Sequence, residues 1–151
     1  MAERLSTGHV NSTLDKFRED YANGVLEIYS GTQPGSADDA ETGDLLCVIT
    51  QGGGAFTAGE ADNGLNFGAP NNGTIDKDTT ETWSGKVLKT GTAGWFRFYD
   101  NSYTKGATTT AKRFDGAIST SSSAELQMLN TFLTADGQLA LANFPVTAPK
   151  A

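Results

Sequence analysis

GTAGWFRFYD, residues 91–100, alternates with a two-residue period over its whole length. A strand projects successive side chains to opposite faces. Trp95, Arg97 and Tyr99 therefore fall on one side, and Phe96 and Phe98 on the other. Aromatic residues on both faces, a Gly-rich approach and an Asp100-Asn101 exit describe a strand near the middle of a sheet. Burial stabilises by about 25 cal/mol per Å² of apolar area, so Trp95, Phe96 and Phe98 anchor the expected core.

Working outward, residues 80–89 read as the preceding strand, with Trp83 and Val87 on one face. Gly85 inside it marks a bulge or a close approach. The tight connection 90–94 makes these two strands a hairpin. Further upstream, 25–30 places Leu26 and Ile28 on one face and Glu27 and Tyr29 on the other. Residues 44–51 are apolar on both faces through Leu45, Leu46, Cys47, Val48 and Ile49, as in a buried strand. Short strands are expected at 55–57 and 65–67, and a turn at 71–73. Downstream, strands are expected at 108–114, 117–119, 125–130, 132–133 and 138–144. Asp136-Gly137 is the last hairpin turn, and Pro145 and Pro149 end the regular structure. Roughly eight to ten short strands with Gly-rich turns predict an all-β fold, an antiparallel β-sandwich of jelly-roll or immunoglobulin-like type. Its expected core is Leu26, Ile28, Leu46, Val48, Trp83, Trp95, Phe96 and Phe98.

Residues 1–24 differ from the rest. Ser12 followed by Asp15 is a capping box, Leu14, Phe17 and Tyr21 recur at helical spacing, and Asn23-Gly24 is a stop. A short amphipathic helix is expected at 12–22, preceded by an extended arm through 5–10. So short a helix must pack on something. Either it covers an end of its own sandwich or it reaches, with the arm, a neighbouring subunit. In the second case Leu5, Val10, Leu14, Phe17 and Tyr21 are the contact residues. The domain plan is thus arm and helix at 1–24, sandwich at 25–146 and a C-terminal tail at 147–151.

A chain of 151 residues suits one domain. The formal net charge of −7 argues against a nucleic-acid partner. No secretory signal opens the sequence and no run approaches a membrane span, so a soluble protein made in the cytosol, with no membrane partner, is expected. The single cysteine, Cys47, reads as a small buried hydrophobe.

The search for chemistry yields no catalytic, cofactor-binding or metal set. His9, the one histidine, sits in the expected arm, a poor place for a rigid triad. The acids Asp38, Asp39, Glu41 and Asp44, and separately Asp76, Asp78 and Glu81, cluster on loops. Neither group matches a calcium loop, and both read as solvated turns. No carboxylate stands out as the raised acid of a glycosidase pair. Tyr29, Tyr99 and Tyr103 fit cross-strand packing, or stacking on sugars if exposed.

Two stretches, LEIYSGTQPGSADDAETGDLL (26–46) and GTAGWFRFYDN (91–101), resemble a group of small virion structural proteins of tailed bacteriophages and prophages. The likeness extends to Asn63-Gly64-Leu65-Asn66-Phe67 and to ELQMLNTFLTADGQLALANFPVT, covering about residues 5–147. The resemblance implies a virion component without enzymatic activity or cofactor. It implies a head decoration or cement protein that binds the major capsid protein and itself, as a trimer or other small homo-oligomer. The alternative is a tail, neck or fibre component that recognises host-surface glycans. On the first reading, removing residues 1–11 leaves the sandwich folded and abolishes incorporation into particles.

Overall fold

A computed structural model describes residues 3–147. The helix α1, Thr7–Asp20, comes first. It begins at Thr7 rather than Ser12, so the expected arm is helical from its third residue. Ser6 is the N-cap, its hydroxyl accepting from the His9 N–H at 3.2 Å. Tertiary contact explains the early start. Val10 is buried, and the Asn11 side chain accepts from the Gly73 N–H at 2.9 Å. The first turn is thereby docked on the turn at 71–74, where Asn72 and Gly73 both take positive φ.

The strands follow as β1 Val25–Ser30, β2 Leu45–Gln51, β3 Thr74–Ile75, β4 Trp83–Lys86 and β5 Gly91–Tyr99. After these come β6 Arg113–Ser119, β7 Leu126–Gln127, β8 Phe132–Leu133, β9 Gln138–Leu141 and β10 Val146–Thr147. One strongly curled sheet, a half-barrel, runs β7-β6-β5-β1-β2-β4-β9, with β8 paired to the start of β5. The pairing is antiparallel except between β6 and β7, which run parallel. A separate ribbon joins β3 to β10.

The fold is β-rich with one short helix, as expected, but the strands do not form two facing sheets. The second layer is α1 and the ribbon instead. Tyr21 meets Phe98 edge-on at 5.7 Å, Phe17 lies 5.0 Å from Phe114, and Phe144, just before β10, lies 5.1 Å from Phe96. Leu26, Ile28, Leu46, Trp83, Phe96 and Phe98 are all buried in this core. Two expected core residues stand apart from it. Val48 is half-buried on the outer side, and Trp95 is fully buried beneath the opposite face.

The expected hairpin between the strand at 80–89 and β5 does not form. β4 pairs with β2 and β9, whereas β5 lies between β1 and β6. The two edges of β5 are taken by β1 and β6, which leaves no place beside it for β4. Gly85 is a close approach, as expected, because a Cβ there would collide with the Val48 carbonyl oxygen. Asp136 does sit in a turn with positive φ, but β8 and β9 on either side pair elsewhere. β10 shows that Pro145 does not end the strands, while Pro149 and the tail at 148–151 lie outside the described residues. Residues 108–112 are loop, and β6 is one continuous strand.

Candidate functional site

The outer face of the central strands should, by ordinary alternation, meet water. Here it is buried. Glu27, Tyr29, Trp95, Arg97 and Tyr99 are each no more than 2% exposed. Strand register aligns Glu27 of β1, Arg97 of β5 and Asp115 of β6 in one row. The loops at 31–43 and 100–112 close over that row and supply the remaining partners.

The contacts form one connected network. The Tyr29 hydroxyl donates to Glu27 Oε1 at 2.5 Å and the Tyr103 hydroxyl to Glu27 Oε2 at 2.6 Å. Lys105 Nζ adds an ion pair to Glu27 at 3.0 Å. The Tyr99 hydroxyl donates to Glu41 Oε2 at 2.6 Å, and the Gly106 N–H donates to Glu41 Oε1 at 2.9 Å. Tyr29 and Tyr99 touch through their hydroxyl oxygens at 3.1 Å, which joins the two halves. Arg97 pairs with Asp115 at 2.8 Å and with Glu41 at 3.4 Å, and donates to the Asp39 carbonyl at 2.8 Å. Arg113 donates to the carbonyls of Ala37, Thr104, Asp39 and Gly106, at 2.6 to 3.1 Å. Gln33 donates to Asp115 at 2.6 Å.

Three carboxylates, Glu27, Glu41 and Asp115, thus face three cations, Arg97, Arg113 and Lys105. Such balance is what allows charge to leave water, because an unpaired buried ion would cost several kcal/mol. Burial works to raise the Glu41 carboxyl, but donation from Tyr99 and Gly106 and the charge of Arg97 outweigh it. The carboxyl is held below its ordinary range. Burial, followed by the neighbouring carboxylates, pushes the phenols of Tyr29, Tyr99 and Tyr103 up. Trp95 stacks on Tyr29 at 4.5 Å, the Arg97 guanidinium lies over its ring at 5.2 Å, and its buried Nε1 has no hydrogen-bond partner. The result is a brace that fixes two long loops to the middle of the sheet.

The structure scatters the residues singled out in the sequence. Val10, Leu14 and Tyr21 are buried in the protein's own core, and Phe17 packs against it. Val10, Leu14 and Tyr21 are therefore spent on the protein's own core, Phe17 stays half-buried at its margin, and α1 covers its own sheet. Leu5 alone stays outside, at 45% exposure. His9 is exposed on α1. Tyr29 and Tyr99 are buried in cross-strand packing, and Tyr103 is half-buried with its hydroxyl on Glu27.

The acidic loops are less solvated than expected. Glu41 belongs to the brace, and Asp39 caps the Ser36 N–H. Asp38, Asp39 and Asp44 do remain on the surface, Asp44 paired with Lys89. Asp76 accepts from the Phe144 N–H and Asp78 from the Thr80 N–H. Glu81 accepts from Asn66 and from Trp83 Nε1. Cys47 is buried, and burial pushes its thiol up to about 12. The brace residues Glu27, Arg113, Asp115 and Lys105 were not singled out as a set. The signal was a Glu and an Arg on the aromatic face that also carries Tyr29, Trp95 and Tyr99, opposite the apolar face of β1 and β5.

No protein-family model, curated protein or solved structure matches this chain. Among the described residues, no helix is long and apolar enough to cross a membrane.

Proposed function

We propose that this chain is a structural subunit of a tailed-bacteriophage virion, a decoration or cement protein seated on the major capsid protein at capsomer junctions. The observation that carries the reading is the contrast between a locked interior and apolar side chains left outside. The brace fixes the loops, whereas Leu5, Leu88, Leu129 and Phe132 stand 45% to 102% exposed. A body of this kind binds through its surface and adds stability to whatever it bridges, because it binds only the assembled state. The resemblance of residues 26–46 and 91–101 supports the virion assignment.

The contact set is smaller than the helix suggested. Leu5, ahead of the N-cap, replaces the helical face as the N-terminal anchor. Deletion of residues 1–5 is therefore the informative truncation; removal of 1–11 would also take Val10 from the core. The test is the position of the protein in intact particles, by cryo-electron microscopy or crosslinking with mass spectrometry. Crosslinks from the first five residues, or from Leu88 and Phe132, to the major capsid protein support the reading. Crosslinks confined to tail or fibre proteins overturn it. The glycan-recognition alternative has lost Tyr29 and Tyr99 to the brace and keeps only the half-buried Tyr103.

A further inference from the structure

A curled sheet that does not close leaves two edges, here β7 and β9. A groove of about 390 Å³ runs between them, lined by residues 126–130 on one side and 139–143 on the other. Edge strands are ordinarily blunted with charge, proline or a bulge, since unpaired backbone groups invite another strand. β9, Gln-Leu-Ala-Leu, has no charge and no proline. Leu129, beside it in the groove, is fully exposed.

Charge selects the occupant. The chain carries 29 charged residues (11 basic and 18 acidic) and a net charge of −7. Yet residues 126–144 contain only one, Asp136, which is paired with Lys86 at 3.1 Å. A basic partner would be drawn to the acidic surface elsewhere. A second copy is repelled everywhere except at an uncharged patch. An antiparallel strand pair is also self-complementary about a two-fold axis, so identical edges can satisfy each other.

We propose that this seam is a self-association surface, in which β9 pairs antiparallel with β9 of a second copy and Leu129 covers the opposing groove. This rests on the virion reading only for the statement that the subunit assembles with itself. The experiment uses purified protein without capsid, so the two readings fail separately. Sedimentation equilibrium from dilute to millimolar protein should show a dimer. Hydrogen exchange at the amides of 139–141 should slow as the dimer forms. Ala140→Glu and Leu129→Glu lie at exposed positions and should leave the melting temperature of the dilute monomer unchanged. Each should weaken the dimer roughly tenfold or more. A monomer at every concentration overturns the proposal. So does a trimer, or a dimer indifferent to both substitutions.

Discussion

One face of β5 sets Phe96 and Phe98 against Tyr21, Phe67, Trp83 and Phe144; the other sets Arg97 and Tyr99 against Glu41, held on a loop, and Arg97 against Asp115 of β6. All four side chains are buried to within 2% of full cover, yet different physics holds the two faces. The apolar face is held by area, a non-directional term that each contact adds to in small increments. The polar face gains little net energy from charge burial and depends on every partner being present. An apolar core tolerates loss gradually. A balanced set of three anions and three cations does not.

That difference can be broken at its two centres. Arg97→Ala leaves Asp115 and Glu41 buried with only Gln33, Tyr99, Gly106 and the more distant Arg113 to answer them. Truncating one partner of a buried pair costs about 3–5 kcal/mol, and the vacated volume pushes this case to the upper end. Phe98→Ala, which opens a cavity among Tyr21, Phe67, Phe114 and Phe144, should cost slightly less, about 3–4 kcal/mol. Urea unfolding of both variants measures the order. If Arg97→Ala proves the milder change, the brace is not holding the fold and the comparison fails.

Tyr99→Phe sharpens the contrast at lower cost. It removes the donor to Glu41 and keeps the ring against Tyr103 at 5.2 Å, so the loss should be about 1–2 kcal/mol. Its effect should be local. Amides of the loops at 31–43 and 100–112 should exchange faster, while those of α1 keep their protection. Uniform acceleration over both layers would mean that the two faces act as one cooperative unit.

Much of this arrangement was legible as alternation. The period in residues 91–100 sorted Trp95, Arg97 and Tyr99 from Phe96 and Phe98 correctly, and the β1 pattern did the same for Glu27 and Ile28. Strand partners were not legible, because the short 90–94 connection looks like a hairpin whether or not the flanking strands pair. The helix start failed for a related reason. Ser12, with Asp15 three residues on, is the better cap by sequence, and only the contact of Val10 and Asn11 with the distant 71–74 turn moves the start to Ser6. The brace was hidden by composition. A loop rich in Gly, Asp and Ser reads as solvated, and nothing local says that Glu41 will meet Tyr99, 58 positions later.

Acid offers the smallest and most selective test. Burial raises the Glu41 carboxyl, but the Tyr99 hydroxyl, the Gly106 N–H and Arg97 hold it below its ordinary value of 4.5. A group whose folded pKa lies below its unfolded one binds fewer protons when folded. Its stabilising contribution is therefore complete above about 4.5 and is lost as pH falls through that value towards the folded pKa. Asp20, hydrogen-bonded to Lys112 and Lys16, and Asp78, bonded to the Thr80 backbone and hydroxyl, are lowered too. Acid destabilisation by itself therefore does not isolate the brace. The difference between the parent chain and Glu41→Gln does, because Asp20 and Asp78 are common to both. Glu41→Gln should melt at a lower temperature at neutral pH, and the gap should close steadily below pH 4.5 as the parent loses the charge that the variant never had. A gap that stays constant down the acid limb would mean that the Glu41 charge adds nothing to stability. The polar face would then be held by the rest of the network, through Glu27, Asp115, Arg97 and Arg113.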